Sequence, residues 1–99
     1  MLIVAGYIRV PAEARAALEP HMTAYVAAAN AEPGCQLFTF AFDVTDPERL
    51  RVFEIYDDEA AFAAHNAAPH VIEWRARRAA AGAVDYDISR YEVSAVGKF

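Results

Sequence analysis

His65 and Glu54 are the two side chains best placed to do acid–base chemistry. His65 follows Phe62 by three residues, so a helix carries imidazole and phenyl on one face. Glu54 stands mid-strand between Phe53 and Ile55, an unusual place for a carboxylate. If buried there it must be paired or hydrogen-bonded, and a histidine on a neighbouring helix is a suitable partner. In a catalytic reading Glu54 orients His65 and raises its basicity, making the imidazole a general base. In a structural reading the same pair pins a helix to a sheet. Both fit the residues.

The remaining reactive residue types are sparse. His70 follows Pro69, five residues after His65 with a break between, which does not present two ligands on one helical face. No metal site is expected, and His70 is read as a cap of the restarted helix or part of a cavity mouth. Cys35 is alone and has no basic neighbour in sequence, so neither a disulfide nor a thiolate nucleophile is expected. The four glycines are scattered singly, with no phosphate-cradling loop. Arg9 and Arg90 are read as surface ion-pair partners or as an attraction for an anion. Candidate walls of a ligand cavity are Tyr7, Tyr25, Tyr56, Phe62, Trp74, Tyr86 and Tyr91, together with Phe38 and Phe40.

Positioning these groups is the task of a small chain. Its 99 residues make one domain, residues 1–99, and a core that size is short of material. Apolar residues are 57% of the chain, much of the excess being alanine, while six Phe, five Tyr and one Trp supply the bulk. A net charge of −5 with nine Lys plus Arg argues against nucleic-acid binding. The run Ala60–Ile72, broken by His65, Asn66, Pro69 and His70, is too short and too polar for a membrane span. A cytoplasmic protein is expected.

Period-two patterning predicts strands over Leu2–Val10, Cys35–Val44, Leu50–Tyr56 and Val84–Ser94. A helix starts after Pro11, with a kink or restart at Pro20 and a main run to Asn30. A second helix opens on the acids Asp57, Asp58 and Glu59, breaks near Ala68, and restarts at Pro69 to run to about Ala81. The order β-α-β-β-α-β defines a ferredoxin-like α+β fold, a four-stranded antiparallel sheet with its helices on one face. Two helical segments cover one face only. The Phe38/Phe40/Phe42 stripe is therefore expected on the uncovered face, as the seam of a homodimer packed sheet against sheet.

Four segments carry a resemblance. In order they are Glu32-Pro33-Gly34-Cys35, Asp46-Pro47-Glu48-Arg49-Leu50, Phe53-Glu54-Ile55-Tyr56-Asp57-Asp58-Glu59-Ala60 and His65-Asn66-Ala67-Ala68-Pro69-His70. With the flanking strands they resemble, over nearly the whole chain, the antibiotic biosynthesis monooxygenase family of dimeric α+β barrels, which includes quinol monooxygenases. The resemblance implies a homodimer, a cavity between sheet and helices, and oxygenation of a phenolic, quinol or polyketide-like aromatic molecule without metal or flavin. His65 and Glu54 would then be catalytic, with Tyr56, Phe62, His70, Trp74, Tyr7 and Tyr91 binding substrate. Relatives sharing the fold are isomerases or have no known activity, so a small-ligand or quinone-binding protein and a proton-transfer isomerase stay open. Two departures bear on chemistry. Tyr56 stands where the family often has Trp. The first strand lacks the Asn of the haem-degrading branch, and Trp74 follows both histidines, so haem degradation is not expected.

Overall fold

The computed structural model describes residues 1–99. Its strands are β1 (Leu2–Arg9), β2 (Cys35–Phe42), β3 (Arg49–Tyr56) and β4 (Tyr86–Glu92). Its helices are α1 (Arg15–Asn30), α2 (Glu59–Ala67) and α3 (Pro69–Ala80), and a 3₁₀ turn over Ala12–Ala14 precedes α1. The strands form one antiparallel sheet in the order β2-β3-β1-β4. This is the ferredoxin-like arrangement that the element order predicts.

Strand ends differ from the period-two reading for local reasons. β2 stops at Phe42 because Asp43 Oδ1 accepts from both the backbone N–H and the hydroxyl of Thr45, turning the chain. β4 is only seven residues long, matching the stretch Leu2–Ile8 of β1 that it pairs with. Pro20 neither breaks nor restarts α1, which runs through it. One backbone bond is lost, but Leu18, Met22, Tyr25 and Ala29 stay buried on the sheet, and that packing outweighs the loss.

The α2–α3 junction follows the sequence closely. Asp58 caps α2 by accepting from the Ala61 N–H at 2.9 Å. Ala68 turns extended (φ −68°, ψ 140°), and Pro69 then opens α3 at its first position.

Register decides which face is which. Leu2, Val4, Gly6 and Ile8 of β1 sit opposite Tyr56, Glu54, Val52 and Leu50 of β3, and this set faces the helices. Phe38, Phe40 and Phe42 pair with Glu54, Val52 and Leu50, so the phenyl stripe lies under the helices as well. The expected seam is thereby overturned: alternation separates two faces of a strand but does not say which one the helices cover. The uncovered face carries Ile3, Ala5, Tyr7, Leu37, Thr39, Ala41, Phe53, Ile55 and Tyr91 instead. No helix is long and apolar enough to cross a membrane.

Gly6 occupies the middle of the helix-facing side at φ +155°. A Cβ there would meet the Asp87 carbonyl oxygen of β4 at 2.0 Å, so no other residue fits.

Candidate active site

Between the sheet and α1–α3 lies a cavity of about 400 Å³, a volume that holds a bicyclic aromatic ligand. Val4, Ile8, Val52 and Ile88 make its floor, surrounding the position where Gly6 raises no side chain. Its walls are aromatic: Tyr25, Phe38, Phe40, Phe62, Trp74 and Tyr86. Tyr25 stacks on Phe40 and Trp74 at centroid distances of 5.6 and 5.3 Å, which fixes the ring surfaces in place. Four polar side chains open into this enclosure: Glu54, His65, Arg75 and Arg78.

His65 and Glu54 therefore reach one cavity, as the sequence suggested, but they are not hydrogen-bonded to each other. His65 Nε2 stands 3.6 Å from Glu54 Oε1. The bonded partner is Glu32, whose carboxylate oxygens lie 2.8 and 2.9 Å from His65 Nδ1. Nδ1–H donates to Glu32, and this leaves Nε2, with its lone pair in the neutral ring, turned toward Glu54. The orienting role thus falls to Glu32 rather than Glu54. Glu32 belongs to the turn after α1, where a carboxylate looks solvated. Its signal in sequence was only its place in the Glu32-Pro33-Gly34-Cys35 segment.

Burial sets the proton affinities. Glu54 is 6% exposed and its carboxyl is pushed up to about 7 by desolvation, against the lowering effect of the hydrogen bond it accepts from Tyr56. Tyr56 Oη donates to Glu54 Oε1 at 2.5 Å. Burial, reinforced by the Glu54 charge, raises the Tyr56 phenol far above its ordinary range, so it stays a donor. His65, 2% exposed, is pushed below its ordinary 6.5 by desolvation, opposed by the bond to Glu32. A neutral imidazole beside a carboxyl whose proton affinity is raised by burial forms an acid–base pair suited to taking a proton from a weak acid and returning it.

Several expected substrate contacts are elsewhere. Phe62 and Trp74 line the cavity. Tyr56 is wholly buried behind Glu54 and reaches a ligand only through it. Tyr7 and Tyr91 are corrected outright: both lie on the uncovered face, Tyr7 beneath the guanidinium groups of Arg49 and Arg51 and Tyr91 54% exposed. Residue type suggested a cavity wall, whereas strand parity places them on the far side. Arg9 pairs with Asp46 and Glu48 and Arg90 with Glu59, so neither is free for a ligand.

His70 does not line the cavity either. It opens onto a second, smaller hollow of about 260 Å³ beside His21, Glu73 and Arg77, and its Nε2 bonds to Glu32 Oε2. Glu32 consequently bridges His65 and His70, an arrangement that the five-residue spacing argued against. The extended Ala68 re-aims α3 so that both rings meet one carboxylate. Glu32, His65 and His70 bring a ligand atom each to within 4.8 Å of one another, the donor set of a transition-metal site. The 2.8 Å separation of His65 Nδ1 from Glu32 is a hydrogen bond. Two ligands of one tetrahedral zinc ion sit about 3.3 Å apart. Cys35 is held protonated by burial, as an inert thiol.

The sheet topology defines a ferredoxin-like α+β protein, with an aromatic cavity into which a carboxylate and an imidazole open. The antibiotic biosynthesis monooxygenase family matches residues 1–77, and the chain belongs to that family. A Deinococcus radiodurans protein described as a candidate antibiotic biosynthesis monooxygenase is similar at 25% identity and TM-score 0.91, covering 100% of this chain and 98% of its own. A Nitrosomonas europaea protein described in the same way shares 23% identity at TM-score 0.86, over 96% and 100% of the two chains. A Bacteroides thetaiotaomicron protein of unknown function superposes at TM-score 0.80 with 15% identity, over 93% and 96%. No curated protein matches the sequence.

Proposed function

We propose that the protein is a cofactor-independent monooxygenase acting on a phenolic or quinol substrate in the cavity between sheet and helices. The observation that carries this reading is the Glu32–His65···Glu54 array, with His65 and Glu54 buried, opening onto an aromatic enclosure. An electron-rich phenol needs little from a protein once its proton is removed, because its anion can reduce O₂ by one electron. The radical pair combines to a peroxide on the ring carbon. Protonation of that peroxide and loss of water leave a carbonyl, so one oxygen atom enters the substrate and the other leaves as water. His65 Nε2 takes the phenolic proton, Glu32 holds the ring in the required tautomer, and Glu54 with Tyr56 behind it donates toward the developing peroxide. The apolar floor excludes water that would quench the intermediate.

A second copy of the chain covers the open sheet face in this reading. Ile3, Leu37, Phe53 and Ile55 present an apolar surface there that a lone 99-residue domain leaves wet.

Oxygen uptake with a panel of hydroquinones and naphthols, in the presence of a chelator and without flavin, tests the chemistry. Turnover is expected for the wild type and a drop of 10²-fold or more for His65→Gln, the usual scale of a general base. Isomerisation or proton exchange without oxygen uptake reassigns the protein to proton transfer. Quinone binding without any turnover makes it a binding protein.

A further inference from the structure

Six of the eight arginines, Arg9, Arg15, Arg49, Arg51, Arg77 and Arg90, are ion-paired with a carboxylate. The two without a carboxylate are Arg75 and Arg78, and both line the cavity. They lie three residues apart on α3, hence on one side of the helix. In a chain of net charge −5 with 14 Asp plus Glu, leaving these two cations unpaired at an apolar enclosure is a selective omission.

What they do bond to is neutral. Arg75 Nη2 donates to Asn66 Oδ1 at 2.7 Å, and Arg78 Nη1 donates to the Ala83 carbonyl at 2.9 Å. Arg78 Nε is buried and has no partner at all. The Arg78 side chain is half-buried over the Tyr86 ring, and a buried donor without an acceptor is costly until something completes it. Desolvation, with the neighbouring Arg75 charge, lowers the proton affinity of Arg78, so the two cations are ill at ease together.

We infer that the cavity takes an aromatic ligand bearing an anionic group, a ring carboxylate or an ionised acidic hydroxyl, which Arg75 and Arg78 hold at one end. The guanidinium fork matches a carboxylate in two parallel bonds, offered by Arg75 from the exposed rim of the cavity and by Arg78 from a half-buried position. Glu54 and His65 occupy the same enclosure, so an anchored anion fixes which ring position faces the acid–base pair. The inference rests on the cavity being the substrate site, as proposed above, and adds the substrate class and two specificity-determining residues.

Titration calorimetry at pH 7 with 1-hydroxy-2-naphthoate and its neutral counterpart 1-naphthol tests this directly. The carboxylate is expected to bind at least tenfold more tightly, with the advantage shrinking in 0.5 M NaCl. Arg75→Met and Arg78→Met should each reduce the preference several-fold, read as the ratio of carboxylate to 1-naphthol affinity within each variant. Because Arg78 also holds the Ala83 carbonyl, circular-dichroism melting accompanies each variant. If Arg78→Met fails to fold, Arg75→Met, which alters an exposed side chain whose only hydrogen bond is to Asn66, decides alone. Equal affinity for the two ligands, a preference that survives in the folded variants, or no binding of either ligand overturns the inference. Tight carboxylate binding without oxygen uptake upholds it and removes the monooxygenase reading instead. Oxygen uptake that favours neutral naphthols does the reverse.

Discussion

Glu54 is a carboxylate held in an apolar setting, and its proton can be followed through stability. Its folded carboxyl sits at about 7 against an ordinary 4.5, so between those values the folded chain keeps a proton that the unfolded chain releases. Stability therefore falls as pH rises through that window, by about 3 kcal/mol at 1.36 kcal/mol per unit. Glu54→Gln removes the loss, and its urea midpoint should exceed the wild type's at pH 8 and converge on it near pH 4.5. His65 acts in the opposite sense: its imidazole, held below 6.5, resists the proton that the unfolded chain accepts, so its contribution is lost as pH falls. Both residues were legible because each is a polar group in an apolar setting: a carboxylate between Phe53 and Ile55, an imidazole one turn past Phe62. Glu32 was not, because a carboxylate before Pro33-Gly34 is indistinguishable in sequence from a solvated turn residue. Arg75 and Arg78 carry no signal of their own in sequence, since pairing across the fold is invisible along the chain.

The elements were largely readable because local chemistry marks their ends. Pro11, Pro33-Gly34, Asp58, Pro69 and Gly82 are punctuation that tertiary packing does not overrule, and each boundary falls within a few residues of its mark. Pro20 is the exception, where a buried amphipathic helix absorbs one missing hydrogen bond. Facing is less readable than extent: the phenyl stripe of β2 lies under the helices rather than on the open face, and Tyr7 and Tyr91 lie on the open face rather than in the cavity. One feature left no sequence signal. Asn30, the last residue of α1, bonds both the N–H and the carbonyl of Phe38 at 2.9 Å, completing one rung along the free edge of β2. The α2 cap gives the element its own test. Asp58→Ala leaves the Ala61 N–H without its acceptor and should cost about 1 kcal/mol in urea denaturation, with the cavity untouched.

For the whole molecule the two faces of the sheet differ: a cavity lies under the helices, and an apolar surface on the far side. If a second copy covers that surface, light scattering should give twice the 10.9 kDa chain mass, and Phe53→Asp should return the single-chain value. The Glu32 bridge has a bearing on traffic through the molecule. It joins an imidazole that faces the cavity and is 2% exposed to a second that is 29% exposed in a separate hollow. A proton taken up at His65 Nε2 thus has a bonded path outward, through Nδ1, the Glu32 carboxylate and His70, that avoids the cavity mouth. Under the proposed chemistry, a ligand that seals the cavity mouth leaves His65 this bonded route for its proton.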